Sequence, residues 1–195
     1  GVGLKECLRR ASKAVDWGKK APGDLPAHLR RGKGIAVAWE PTKTPSGSGV
    51  FIVLNLDGSA NVILGASEVG QGSRTVLSQI AAEALQVPLE NVRLTFPDTA
   101  ATPFDASTTA SRTTFHMGNA ILEAAGEIAK ELFKHASNAL NVPEDALRLD
   151  EGRVYVREDE GRSMSYREVI GSVYGAGGCI LGKAFYYPTG KGAGI

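Results

Sequence analysis

The stretch VFIVLNLDGSANVILGASEVGQGSRTVLSQIAAEAL, residues 50–85, predicts a strand pair, a glycine-rich turn and a helix in direct succession. Two β-prone runs flank Asp57-Gly58, a dipeptide typical of a tight hairpin. Apolar residues recur at helical spacing after the turn, which predicts a helix over about 73–86. These apolar residues are Val76, Leu77, Ile80, Ala84 and Leu85. The turn at 65–72 therefore joins the end of a strand to the beginning of a helix.

Helix-like and strand-like segments alternate on both sides of this unit. Further helices are predicted over 3–17, 115–140 and 163–175, the last with Ser163 or Ser165 as its N-cap. Further strands are predicted over 34–40, 91–97 and 178–189, with a hairpin or strand pair over 147–158. The segments 18–31, 44–49 and 98–114 are predicted to be loops. This order predicts an α+β fold with mixed sheets and packed helices.

The composition is that of an ordinary globular protein. With 195 residues, the chain is long enough to bury roughly 70% of its unfolded surface in a core. Its 22 basic and 21 acidic residues give a net charge of +1, so there is no basic surface typical of nucleic-acid or acidic-membrane binding. Since no apolar run reaches roughly 18 residues, we expect no membrane span.

The two cysteines do not form a recognisable site. Cys7 and Cys179 lie far apart in sequence and match neither a CxxC nor a zinc-binding spacing. The simplest interpretation is two buried, reduced cysteines. We therefore expect a reducing compartment, the cytoplasm.

The familiar catalytic motifs are missing from the sequence. It contains no HExxH, GxSxG or P-loop pattern. The histidines are scattered at His28, His116 and His135. We expect His135 to be exposed on the long helix. His116 follows a polar loop and is either a site residue or, as is commoner for a lone helical histidine, a structural one.

Two polar loops are better candidates for a binding site, and the first is GASEVGQG at 65–72. It enters a helix whose first amides are predicted to be available to an anion or another acceptor. Gly70 and Gly72 let the backbone approach a ligand closely, and Gln71 offers a donor and an acceptor.

The second candidate is TTASRTT at 108–114, which precedes the longest predicted helix. Five hydroxyls, one arginine and the amides of a helix start suit a phosphate or a polar heterocycle. Because both loops enter helices, we expect them to share one rim of the sheet. Glycine turns with Ser/Thr capping explain the same residues without a ligand, so both interpretations stand at this point.

The segment EVGQGSRTVLSQIAAEALQVPLENVRLTFPDT (68–99), followed by TPFDASTTASRTTFHMGNAI (102–121), closely resembles the molybdenum hydroxylase family. This family comprises xanthine dehydrogenases, aldehyde oxidases and carbon-monoxide-dehydrogenase-like large subunits. The resemblance covers about residues 1–190 and is sharpest over 64–121. Its specificity comes from two separate motifs that stand in the family's order.

The resemblance implies that the two loops bind the molybdenum cofactor, a molybdopterin. The glutamine of the GQG turn is expected near the oxo ligand of the metal or the pterin dithiolene. The second loop is expected to bind the pterin and its phosphate tail through backbone N–H groups and hydroxyls. The implied cofactor-binding residues are Gly70, Gln71, Gly72, Ala110, Ser111, Arg112, Thr113 and Thr114. No residue of this chain is expected to bind the metal directly.

Two features of the family are not found in this chain. The general-base glutamate, which lies in a Gly-Glu motif, is missing, and Glu68 is not assigned that role. An FGGK-like cofactor segment is also missing. We therefore predict no catalytic residue here and no activity of the chain alone. Two cysteines are too few for an iron–sulfur cluster, which needs about four ligands. Iron–sulfur and flavin groups are accordingly expected on other domains or subunits.

The resemblance predicts one partial molybdopterin-binding domain over 1–195. Residues 1–33 form its N-terminal helix and connection, and 34–195 form its α+β body. We expect an excised fragment of a large subunit, the alternative being a naturally split enzyme. The expected partners are the rest of the large subunit and iron–sulfur and flavin subunits. The expected reaction is hydroxylation or oxidation of an aldehyde, purine or N-heterocycle using water. A non-catalytic binding or assembly module with the same fold is the alternative.

Overall fold

A computed structural model describes residues 3–19, 23, 25–38, 45–95 and 97–188 of the chain. It divides into two units, residues 1–39 and residues 40–195, which are described separately. The helices are α1 (Leu4–Ala14), α2 (Ser73–Leu85), α3 (Gly118–Leu140) and α4 (Tyr166–Tyr174). The strands are β1 (Ser48–Asn55), β2 (Ala60–Leu64), β3 (Val92–Leu94), β4 (Leu147–Asp150), β5 (Arg153–Val156), β6 (Asp159–Ser165) and β7 (Cys179–Tyr186).

The first unit contains α1 and an irregular segment. None of the α1 residues is buried, although the apolar residues recur at the predicted helical spacing. Glu6 accepts hydrogen bonds from Arg9 and Arg10, one turn further along the helix. Such exposed pairs stabilise a helix by only about 0.3–0.5 kcal/mol each.

The predicted hairpin forms the centre of a four-stranded sheet. β1 pairs antiparallel with β2 on one side and with β7 on the other, and β3 runs parallel to β2. The strand order is therefore β3-β2-β1-β7. Because β2 and β3 are parallel, a crossover must join them, and α2 supplies it.

The helices α2 and α3 cover one face of this sheet. Residues of β1 that point towards the helices, such as Ile52 and Leu54, have no exposed surface. Alternate residues, such as Phe51, point the other way and are exposed. Six of the seven residues predicted for the apolar face of α3 are buried: Ile121, Ala124, Ala125, Ile128, Leu132 and Ala136. The core therefore lies between these two layers, as the α+β prediction requires, and this prediction is confirmed.

The smaller sheet, β4-β5-β6, and α4 complete the same core. Ser165 is the N-cap of α4: its side chain accepts from the Glu168 amide, and Glu168 accepts from the Ser165 amide in return. This capping box explains why the helix begins where it does. Tyr166 is buried and donates its hydroxyl to the carbonyl of Leu85, at the end of α2, at 2.6 Å.

Several boundaries differ from the sequence prediction. The strand predicted at 34–40 is wrong for residues 34–38, which form no strand, and residues 39–40 lie outside the described part. Ser48, predicted to be in a loop, begins β1 and is fully buried. The strand β6 was not predicted, because its DEGRSMS sequence has no apolar alternation to reveal it. The long helix begins earlier than predicted, with a π-helical turn at Thr113–Met117.

The cysteine prediction is also wrong in one respect. Cys7 is exposed and Cys179 is half-buried, so neither is a core residue. Cys7 lies on α1, which buries none of its residues, and Cys179 begins the edge strand β7. Both thiols are unpaired, as expected. Among the described residues, none of the helices combines the length and the apolar character that a bilayer crossing requires.

The packing of α3 on β7 gives a stability prediction. A Cβ on Gly182 would collide with the Ala124 carbonyl oxygen and lie 2.9 Å from Ile128 Cγ1. Gly182→Ala should therefore destabilise the full-length protein by about 1–3 kcal/mol. Gly126→Ala on α3 is the matched control, because its Cβ would meet nothing within 4 Å. The control should be neutral or stabilising by up to about 1 kcal/mol. Urea unfolding measures both, and equal stability of the two variants would contradict this packing.

Candidate functional site

The two predicted loops lie side by side at one rim of the main sheet. The hydroxyl of Thr108 in the second loop donates to the carbonyl of Ser67 in the first loop at 2.8 Å. Each loop leads into a helix that packs on the same face of the sheet: α2 follows the first, and the π-helical turn and α3 follow the second. The structure therefore brings together two motifs that are about forty residues apart in sequence.

Glu68 occupies the start of α2. Its carboxylate accepts hydrogen bonds from the amides of Gly70 (2.7 Å), Gly72 (3.2 Å) and Arg74 (3.2 Å) and from the hydroxyl of Ser73 (3.1 Å). The sequence predicted that the amides of this helix start were available to a ligand. That prediction is wrong for these three amides, because an acidic residue of the turn itself takes them. The sequence contained an indication of this cap, because Glu68 precedes Gly70 by two residues.

This arrangement lowers the pKa of the Glu68 carboxyl. The amide of Arg74 and those of Gly72 and Gly70, together with the Ser73 hydroxyl, lower the pKa of the carboxyl from 4.5 to about 2. Burial opposes the shift only in part. A carboxylate at a helix start also interacts favourably with the helix dipole. Glu68 therefore remains ionised at neutral pH and serves as an internal anion.

Gln71 is exposed at the tip of the turn. Its Nε2 donates to the Ser67 carbonyl at 3.0 Å, and its Oε1 accepts from the Val69 amide at 2.7 Å. The neighbouring Gly70 and Gly72 have φ angles of +96° and +80°, which side-chain-bearing residues rarely adopt. A Cβ at either glycine would meet nothing within 4 Å, so the backbone on both sides of Gln71 is open to an approaching group.

The second loop contains two consecutive residues in the left-handed region. Ala110 has φ +49° and Ser111 has φ +52°. This conformation costs about 1–2 kcal/mol for each L-residue, so the surrounding structure must hold it. Ser111 and Thr114 are exposed, whereas Thr113 is 7% exposed.

Arg112 holds this loop from inside the protein. Its guanidinium is 1% exposed and pairs with the buried carboxylate of Asp105 at 2.8 Å. It also donates to the carbonyl of Gly47 and to Oγ of Ser48, both at 2.9 Å. The sequence predicted Arg112 as a cofactor contact, but its side chain points into the interior. A contact to the cofactor therefore stays a prediction for the backbone of Arg112 alone.

The second helix start differs from the first in having no acidic cap. The side chain of Arg112, the residue before the π-helical turn, makes no capping bond. Within the described ranges, no side chain accepts a hydrogen bond from the amides of residues 110–115. An anion is therefore better accommodated here than at α2, where Glu68 already supplies a negative charge.

His116 belongs to the interior, in agreement with the structural interpretation. It has no exposed surface, and its Nδ1 lies 3.3 Å from Nη2 of Arg112. Because a guanidinium only donates, Nδ1 acts as the acceptor. The prediction that His135 is exposed is wrong, because its side chain is only 16% exposed. Its Nε2 lies 2.7 Å from Oε1 of Glu131. His135 packs edge-on against Tyr174, which explains the burial.

An open groove of about 1320 Å³ runs between α2 and α3. Ser111 and Thr114 lie on its wall together with apolar residues such as Ile80, Phe115 and Leu122. This groove was not predicted, because its walls come from segments that are distant in sequence and whose packing was not predicted. In the part of the chain that the structure describes, no group of three or more His, Cys, Asp or Glu residues could hold a metal ion.

The pKa of Glu68 can be tested directly. Since the pKa falls from 4.5 to about 2 on folding, the carboxylate stabilises the turn above about pH 4.5. This stabilisation is lost as the pH falls through about 2. An NMR titration of the Glu68 carboxyl carbon should have its midpoint near 2. Glu68→Gln should lack this pH-dependent part of the stability. A midpoint near 4.5 would contradict the capping geometry.

Comparison with known proteins identifies the family. Residues 10–194 match the family model of the molybdopterin cofactor-binding domain. The chain is 34% identical over 195 residues to the putative xanthine dehydrogenase molybdenum-binding subunit of Escherichia coli (strain K12). This match covers 96% of the chain and 24% of that subunit, so the chain spans about a quarter of the length of this relative.

Two solved structures share the fold. Carbon monoxide dehydrogenase from Oligotropha carboxidovorans superposes with a TM-score of 0.66 at 25% identity, covering 72% of this chain and 18% of the other. Quinoline 2-oxidoreductase from Pseudomonas putida 86 gives a TM-score of 0.65 at 26% identity, covering 75% of this chain and 20% of the other. Because the family model matches nearly the whole chain, the chain belongs to the molybdopterin cofactor-binding domains of the molybdenum hydroxylase family.

Proposed function

We propose that this chain is the molybdopterin-binding part of an oxidoreductase that hydroxylates or oxidises an aldehyde, a purine or an N-heterocycle using water. The bond between Thr108 and Ser67 carries the proposal, because it joins the two loops that the family resemblance assigns to one cofactor. Membership of the family supports the cofactor class. The relatives' names support the reaction class, since they include xanthine dehydrogenase and quinoline 2-oxidoreductase.

In this proposal the GQG turn contacts the cofactor through Gln71 and the adjacent backbone. The amide of Gln71 uses one N–H and one lone pair within the loop, so each end keeps one further hydrogen-bonding site. Gly70 and Gly72 leave open space on both sides of it. A polar, planar group such as a pterin fits this combination of an amide and bare backbone.

The second loop binds the pterin and its phosphate tail. Ser111 and Thr114 are exposed and offer hydroxyls, and the helix start beside them offers amides. Ala110 and Thr113 take part through their backbone. The side chain of Arg112 stays paired with Asp105 beneath this loop and holds the loop in place.

The chain's own residues hold the cofactor and take no proton from the substrate. When bound, the cofactor supplies the two-electron redox chemistry of the reaction. Glu68 is unsuitable as a general base, since its pKa of about 2 makes it a poor proton acceptor at neutral pH. Its carboxylate is also engaged by the start of α2. We therefore place the general base elsewhere in the enzyme.

In this proposal the chain binds the remaining part of the large subunit. Its other partners are iron–sulfur and flavin subunits or domains. The first relative is itself named as a molybdenum-binding subunit, which supports a division of cofactors among subunits. Two unpaired cysteines support a cytoplasmic location. The chain is also too poor in cysteine to ligate an iron–sulfur cluster itself.

A non-catalytic binding or assembly module is the second candidate. One observation favours it: Glu68 and Gln71 satisfy the turn's hydrogen bonds internally, so the turn is complete without a ligand. This candidate predicts that Gln71 is dispensable for the activity of the full-length enzyme.

Substitution of Gln71 distinguishes the two candidates. In the full-length enzyme, Gln71→Ala should lower turnover about ten- to a hundredfold, the scale seen when a hydrogen-bonding partner next to the ligands of a metal is removed. Its free energy of unfolding should fall by no more than about 1 kcal/mol, since Gln71 is exposed and makes two loop bonds.

Glu90→Ala is the matched control, because Glu90 is exposed and lies outside both loops. It should leave turnover and stability unchanged. Normal turnover of Gln71→Ala would favour the assembly module. A loss of stability as large as the loss of activity would also contradict a direct role for Gln71.

A further inference from the structure

The carbonyl oxygen of Ser67 is the point at which the two loops are joined. It accepts one hydrogen bond from Oγ1 of Thr108 at 2.8 Å and another from Nε2 of Gln71 at 3.0 Å. A backbone carbonyl has two lone pairs, and both are used here. One backbone atom therefore connects a hydroxyl of the second loop to the amide of the first.

The hydrogen bonds of this connection determine the orientation of the Gln71 side-chain amide. The Val69 amide can only donate, so Oε1 must face it, and Nε2 must face the Ser67 carbonyl. A flipped amide would place an NH₂ group against an N–H group and an oxygen against an oxygen. The remaining N–H and the remaining lone pair of Gln71 therefore have defined directions.

The other end of the connection is anchored in the core. The carbonyl of Ser107, next to Thr108, accepts from Nη1 of Arg112 at 3.0 Å. The same Nη1 pairs with Asp105 at 2.8 Å, and the arginine side chain is 1% exposed. Thr108 therefore follows a residue whose carbonyl is held by the buried arginine, whereas Gln71 is exposed at the tip of a glycine turn. The buried ion pair therefore restrains the segment at Thr108. Thr108 restrains the Ser67 carbonyl, and this carbonyl restrains the Gln71 amide.

We propose that Thr108 is a positioning residue, which orients the Gln71 amide towards the cofactor by fixing the Ser67 carbonyl. This inference rests on the proposed function, because it concerns how the same site holds molybdopterin. Without the hydroxyl, the Ser67 carbonyl loses its link to the second loop. The amide of Gln71 then samples several orientations, and fewer of them match the bound cofactor.

The test compares cofactor release among variants of the full-length protein purified with its cofactor. Thr108→Val has the same shape but no hydroxyl, Thr108→Ser keeps the hydroxyl, and Thr99→Val removes an exposed hydroxyl outside both loops. Release is followed on dilution by pterin fluorescence and by molybdenum in the filtrate. Thr108→Val should release the cofactor about two- to tenfold faster than wild type, as the loss of one hydrogen bond implies. Thr108→Ser and Thr99→Val should match wild type.

Two further results separate positioning from a general loss of stability. Thr108→Val should lower the free energy of unfolding of the cofactor-free protein by about 1 kcal/mol, as one lost hydrogen bond implies. Gly182→Ala, which is destabilised by at least as much, should nevertheless release the cofactor at the wild-type rate. Equal release rates for Thr108→Val and Thr99→Val would overturn the inference, and so would a failure of Thr108→Ser to restore slow release. A wild-type protein without molybdenum or pterin, from cells that make the cofactor, would instead overturn the proposed function itself.

Discussion

The buried ion pair between Arg112 and Asp105 is the interaction on which the arrangement of the site depends. Both side chains are at most 2% exposed, so neither charge keeps its water. Removing one partner of such a pair typically costs about 3–5 kcal/mol, because the other charge stays buried. The pair ties the 105–112 segment to the beginning of β1 through Gly47 and Ser48. This anchor holds the second loop next to the end of β2, from which the first loop emerges.

The two helix starts then take different roles. At α2, Glu68 supplies the negative charge that a helix start attracts, so the turn offers its ligand a neutral amide on Gln71. At the π-helical turn before α3, the arginine is buried and no acidic residue caps the amides within the described ranges. A cofactor with a polar ring system at one end and a phosphate at the other matches this pair of surfaces. In the proposed binding mode, Gln71 of the glycine turn would meet a neutral part of the cofactor, and the second loop would hold the pterin and its phosphate tail.

The sequence predicted the local elements well where one physical signal dominates. The Asp57-Gly58 turn, the helical spacing of α2 and α3, and the Ser165 cap each depend on a few neighbouring residues. Contacts between residues that are distant in sequence could not be predicted, since no sequence pattern pairs Arg112 with Ser48 or Thr108 with Ser67. For the same reason, the sequence placed Arg112 among the cofactor-binding residues without revealing that its side chain pairs with the buried Asp105. β6 was missed because a polar strand at the edge of a sheet has no apolar periodicity.

The most direct measurement of the central claim is the molybdenum and pterin content of the full-length protein, purified from cells able to make the cofactor. Elemental analysis and pterin fluorescence give the two amounts independently. Equimolar molybdenum, pterin and protein is the result that this account predicts. Protein that contains neither would contradict it, and would leave both loops as turns that satisfy their own hydrogen bonds.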